Sequence, residues 1–108
     1  MASEQRIQKL QEMLVNDPND SFTRYALALE HVGANNPAEA IEILNDLVTR
    51  DPKYIPAYHQ LGILEGKLNH TQEAKKAYRR GIDQAVLQGE SKEEKEMREE
   101  LEELEDEW

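Results

Sequence analysis

The sequence predicts an all-α fold of about six helices, paired as antiparallel hairpins and stacked into a short solenoid. Three observations predict it. The chain repeats itself with a period of 34 residues, and its apolar residues recur at helical spacing between turn-forming clusters. Only five Gly and four Pro interrupt 108 residues, so long regular elements are expected. A hydrophobic share of 38% beside 33% charged residues suits thin layers of helices, each keeping a wet face.

The period is read from Asp17-Pro18, which returns as Asp51-Pro52, and from Leu27/Leu61, Asn35/Asn69, Glu39/Glu73 and Ala40/Ala74. Similar residues align as well: Ala28 with Gly62, Leu29 with Ile63, Leu44 with Tyr78, Val48 with Ile82. Their placement at small and apolar positions of helical periodicity gives the matches their weight.

A single domain over 1–108 is expected, beginning with a capping helix over 3–16. Leu10, Met13, Leu14 and Pro18 lie one period before Leu44, Leu47, Val48 and Pro52, so this helix resembles the second half of a truncated repeat. A repeat over 20–52 follows. Phe22, Tyr25, Leu29 and Val32 draw the stripe of its first helix, and Gly33-Ala34-Asn35-Asn36 ends it. Asn36 then suits an N-cap, with Pro37 at the first helical position and Glu39 three residues after the cap. Ala40, Ile43, Leu44, Leu47 and Val48 form the second stripe, which Asp51-Pro52 stops. The next repeat, over 54–88, uses Tyr58, Leu61, Gly62 and Ile63, a turn at Asn69-His70-Thr71, and then Ala74, Tyr78 and Ile82. Two hairpin helices approach closely only where a side chain is nearly absent, so Ala28 and Gly62 are expected to meet Ala40 and Ala74.

The last segment, 91–108, leaves the period. Ser91 and Glu94 have capping-box spacing. Met97, Leu101, Leu104 and Trp108 then draw one narrow apolar stripe on an acidic helix. That stripe caps the second repeat, docks in a groove, or joins a second copy in a homodimer. Barely two heptads are too few for a free coiled coil.

With the period and these stripes in view, the chain resembles the tetratricopeptide repeat family. Tyr58-x-x-Leu61-Gly62, an Ala twelve residues later, Tyr78 and Ile82 carry the likeness, which covers residues 21 to 88. Four positions depart from the pattern: Arg24 stands for the opening aromatic and Ala28 for the Gly of the first unit, Glu65 for a later aromatic, and Gly81 for a usual Ala. The resemblance implies a right-handed superhelix that binds a protein or peptide on its concave face. In that register the face comprises Phe22, Tyr25 and Leu29 from one unit, and His59, Ile63 and Lys67 from the next. It suits an extended peptide or a helix laid in a groove. Tyr25 and Leu29 stand where relatives that clamp a carboxylate carry Lys and Asn, which disfavours that specialisation.

Composition excludes other classes. Cysteine is absent, which removes disulfides, thiol nucleophiles and thiolate metal sites. The formal charge is −10, and residues 90–108 hold eleven acids against three bases. That balance opposes nucleic acid and anionic membranes, which demand a basic stripe. No apolar run approaches a membrane span and the start does not read as a signal peptide, so a cytoplasmic location is expected. His31, His59 and His70 form no metal-binding or catalytic pattern, and no phosphate loop, nucleophile turn or calcium loop occurs. No enzyme activity, cofactor or metal is therefore expected. Lys75, Lys76, Arg79 and Arg80 form the one dense basic patch, and attraction between it and the acidic helix is expected.

Overall fold

Six helices form in the computed structural model, which describes residues 2–106. They are α1 (Ala2–Asn16), α2 (Ser21–Gly33), α3 (Pro37–Arg50), α4 (Ile55–Lys67), α5 (Thr71–Gln88) and α6 (Ser91–Asp106). No strand occurs among the described residues. The chain divides into two compact units, Met1–Pro52 and Lys53–Trp108. In the first, α1 packs on α2 and α2 on α3; in the second, α4 packs on α5, and both touch α6.

The hairpin turns explain the repeated asparagines. Asn35 and Asn69 both adopt left-handed backbone, at φ 59° and 63°. Asn tolerates this conformation because its short amide bonds locally. Each turn is closed by the same pair of bonds: Asn36 N–H to the His31 carbonyl and Asn35 N–H to that of Val32, then His70 to Glu65 and Asn69 to Gly66. This is the Schellman arrangement, which satisfies the last carbonyls of a helix. The turn after α5 repeats it with Gly89 at φ 71°, where Glu90 N–H reaches the Ala85 carbonyl.

Side chains reinforce two of the turns at matching places. His31 Nδ1 lies 3.4 Å from the Asn36 amide nitrogen, and Glu65 Oε1 lies 2.8 Å from His70 Nδ1. Residues 31 and 65 are one period apart, as are 36 and 70. The departure at Glu65 is thus a polar tie across the turn instead of an aromatic. Asn36 makes no side-chain cap bond to α3, contrary to expectation, because its amide turns back toward His31.

In the first unit Leu27, Ala28, Ala40, Leu44, Leu47 and Val48 are buried, and the α1 stripe of Ile7, Leu10 and Leu14 is half-buried. Asp20 caps α2: its carboxylate accepts from the Thr23 hydroxyl at 2.6 Å, and that bond holds its pKa below the ordinary value. Arg24 also finds its reason. Its guanidinium donates to the Pro18 carbonyl at 2.7 Å and sits 3.4 Å from Asp46, so a buried stem and a paired head replace the aromatic.

In the second unit two glycines stand against large side chains. A Cβ on Gly62 would stand 2.6 Å from the Tyr78 ring, so Gly62 makes room for that ring. A Cβ on Gly81 would stand 2.6 Å from Met97 Sδ and 2.8 Å from Tyr58 Cβ. The glycine in place of the usual Ala is the notch into which α6 inserts Met97. Helix α6 itself begins at Ser91, so Ser91 is its first residue and not its cap; Glu94 instead accepts from Arg98 at 2.8 Å.

Candidate functional site: the exposed face of α2 and the α4–α6 seam

The six residues expected on a binding face belong to the first helix of each hairpin, three to a unit. On α2, Phe22, Tyr25 and Leu29 follow at spacings of three and four, which brings them to one side of the helix. Phe22 is 70% exposed and Leu29 39% exposed, while Tyr25 is half-buried. Large apolar side chains at such exposure on a regular helix leave apolar surface in water.

On α4 the corresponding residues lie beside α6. His59 Nε2 is 2.8 Å from Glu100 Oε2, and the Tyr78 hydroxyl donates to Glu100 Oε1, also at 2.8 Å. One carboxylate therefore holds an imidazole from α4 and a phenol from α5. The two rings meet edge to face with centroids 6.2 Å apart. Burial, then the bond to Glu100, then the charges of Glu100 and Glu103 raise the Tyr78 pKa above its usual value, so the hydroxyl stays a donor. Next to this clasp lies an open cavity of about 330 Å³ lined by Gly62, Ile63, Gly66, Lys67, Glu103 and Leu104.

The C-terminal stripe packs within its own unit. Met97 is fully buried against Ile55, Tyr78, Ile82 and Ala85, and Leu101 and Leu104 lie half-buried beside it. Trp108, the last residue of the stripe, lies outside the described residues. Of the basic patch, Arg79 reaches Glu105 at 2.8 Å and Arg80 lies 5.1 Å above the Tyr58 ring. Among the described residues, Lys75 and Lys76 reach no carboxylate of α6, so the attraction is carried by one pair.

Glu100 and Tyr78 as a pair were not legible in the sequence, since 22 residues separate them and one partner lies outside the period. Gly81 was the available signal: a glycine where the repeat has alanine marks a close approach. Among the described residues no group of three His, Asp or Glu side chains is placed to hold a metal. No helix there is long and apolar enough to cross a membrane.

The comparisons with known proteins agree with this architecture. The family profile described as tetratricopeptide repeat matches residues 1–86. The chain is 29% identical over 91 residues to the TPR repeat-containing protein PA0015 of Pseudomonas aeruginosa, covering 84% of this chain and 87% of that one. It also resembles the tetratricopeptide repeat domain protein of Salinibacter ruber in two structures. The crystal structure is 37% identical at TM-score 0.77, covering 81% of this chain and 98% of the other. The solution structure is 38% identical at TM-score 0.78, covering 82% and 90%.

Proposed function

The chain belongs to the tetratricopeptide repeat family, and from that premise we propose that it is a protein-interaction module whose contact surfaces are the first helices of its hairpins. The fold generally mediates protein–protein interaction, and its members are generally scaffolds and not enzymes. The observation that carries the proposal is the α2 strip, exposed at Phe22 and Leu29 and half-buried at Tyr25. Phe22, Tyr25 and Leu29 offer an aromatic-aliphatic strip that an apolar side chain of a peptide or helix covers. In the second unit Ile63 and Lys67 offer a shorter strip at the edge of the α4–α6 seam, with His59 already engaged by Glu100.

The alternative is a self-associating protein joined through α6. It draws less support, because Met97 is spent inside its own unit. Affinity capture from the source cell, comparing the native chain with Phe22→Ala, Leu29→Ala, tests the main proposal. Both side chains are exposed, so the melting temperature stays within a degree or two while the captured partner falls at least tenfold. Undiminished capture by the double variant would reject the α2 strip as the contact. Sedimentation of the intact chain decides the alternative, since a monomer at every concentration removes it.

A further inference from the structure

We propose that α6 is the chain's own occupant of a surface on α4 and α5 built to take an acidic amphipathic helix, and that its C-terminal half yields this surface to such a helix from a partner. The inference rests on the interaction reading above and names the kind of partner that the second unit takes.

The surface is specified by four features, each matched to something an acidic amphipathic helix supplies. Gly81 leaves a notch that accepts a long flexible apolar side chain, filled here by Met97. His59 and Tyr78 converge on a single carboxylate at 2.8 Å each, filled here by Glu100. Arg79 takes a second carboxylate, Glu105, further along the same helix. Between the two carboxylate contacts, Leu101 and Leu104 lie against the apolar cluster. Met97 keeps the notch, and a partner helix with a carboxylate followed by leucines one and four positions on presents the groups that the C-terminal half supplies.

The two halves of α6 are held differently. Residues 91–98 carry three acids and three bases, and end at the fully buried Met97 and the Glu94–Arg98 pair. Residues 99–106 carry six acids and no base. Their like charges face one another at i,i+3 and i,i+4, as in Glu99 with Glu102 and Glu99 with Glu103, which disfavours the helix. They also stand at its C-terminus, where the helix dipole opposes negative charge and no basic residue occupies the last turn. This half keeps its helix through what it touches, chiefly the Glu100 clasp, Arg79 and two half-buried leucines. The first half is an anchor and the second a displaceable occupant. When the receptive state of a surface is only partly populated, apparent affinity is reduced by that fraction. Loosening the occupant therefore strengthens binding of a competing helix.

The test uses the full chain and a fluorescein-labelled synthetic peptide with the sequence of residues 91–106, followed by anisotropy. Glu100→Gln in the chain removes the charge of the clasp and keeps its shape. The peptide, which retains its own glutamate, is expected to bind this variant at least tenfold more tightly than the native chain. Adding His59→Ala to the variant, or placing Gln at the clasp position of the peptide, is expected to remove most of that gain. Equal affinity for native and Glu100→Gln chains overturns the proposal, as does a gain indifferent to both further changes. Hydrogen exchange on the native chain gives a second readout that depends on no variant. Added peptide is expected to speed exchange in residues 101–106 and leave the amides around Met97 unchanged; no change in either half is the overturning result. Because the synthetic peptide replaces a native partner, its failure leaves the α2 capture experiment standing. Success with the peptide beside undiminished capture by the Phe22, Leu29 variant sinks the α2 reading alone.

Discussion

Position 28 in the first unit is alanine and its counterpart 62 in the second is glycine, while the following helices carry Leu44 and Tyr78 at matching places. Both large residues are buried, and both small ones are closed to solvent. Volume is thus redistributed, with one methyl group lost from the first helix and a phenol gained on the second. The exchange has a consequence beyond packing, because a leucine ends in methyl groups and a tyrosine ends in a hydroxyl. In the second unit that hydroxyl grips Glu100 of α6. The first unit carries Leu44 at that place, which has no hydroxyl to offer, and its outer helix α1 presents a half-buried stripe and the Arg6–Glu30 pair at 2.8 Å. Two copies of one repeat plan therefore hold their outer helices by different means, an apolar stripe in one and an inserted methionine with a shared carboxylate in the other.

The largest effect that separates the units is expected from Met97→Ala. Met97 is wholly buried and loses both its apolar contacts and the filling of the Gly81 notch, a cost of about 2–5 kcal/mol. Leu14→Ala in α1 truncates a half-buried residue and is expected to cost less than half as much. Chemical denaturation of the two variants checks the order, and equal losses would erase the distinction between the outer helices.

Glycine substitutions sharpen the same contrast within the second unit. Gly81→Ala forces a methyl group against Tyr58 Cβ, which sits on the backbone and cannot swing away, so a loss of about 1–3 kcal/mol is expected. Gly66→Ala meets nothing within 4 Å and lies in the same unit's first helix. There the better helix propensity of Ala is expected to raise stability by up to about 1 kcal/mol. Opposite signs from two Gly→Ala changes, read by thermal melting, identify the notch; a loss at both positions would show that backbone freedom and not space is at stake.

How much of this was legible in the sequence depends on whether a feature belongs to the period. Asn35 and Asn69 repeat, and the turns they mark lie where the repeated residues place them. Pro37 opens α3 as its fixed φ favours. The Ala28 and Ala40 positions are buried as small residues at helical contacts should be. Features outside the period escaped. The contact between His59 and Glu100 spans 41 residues, and no local spacing announces it. Ser91 carried the sequence sign of an N-cap, yet α6 starts there because Glu94 N–H already bonds to the Glu90 carbonyl. Beside the expected small-residue contact, the vacancy at Gly62 is filled by the Tyr78 ring, which the pairing of small residues alone did not announce.

Alkaline pH offers a further separation. The folded second unit keeps the Tyr78 proton beyond the ordinary value of 10.0, whereas the unfolded chain gives it up near that value. Stability from this group is therefore complete below pH 10 and declines as pH rises above it. Native chain and Tyr78→Phe, unfolded in denaturant between pH 8 and 11, should differ in slope only above 10. Parallel curves would show that the hydroxyl is not held against ionisation by its burial and by Glu100.

The smallest expected effect concerns the ion pairs that fasten each outer helix. Arg79–Glu105 is exposed on both sides and Arg6–Glu30 on one, so each pair contributes about 0.2–1 kcal/mol by a double-mutant cycle at low salt. Their surroundings differ more than their geometry. Glu105 belongs to the run of six acids that ends α6, whereas Arg6 lies on a helix of mixed charge. Removing Arg79 takes away a cation close to several acids of that run and not merely one partner. Arg79→Ala is therefore expected to cost more than its pairwise coupling to Glu105, while Arg6→Ala costs no more than its coupling to Glu30. In 1 M salt the Debye length falls to about 3 Å, and the excess at Arg79 should vanish while the contact terms persist in part. An excess that survives high salt would mean that Arg79 holds α6 through packing of its stem, and the electrostatic contrast between the two outer helices would then have to be abandoned.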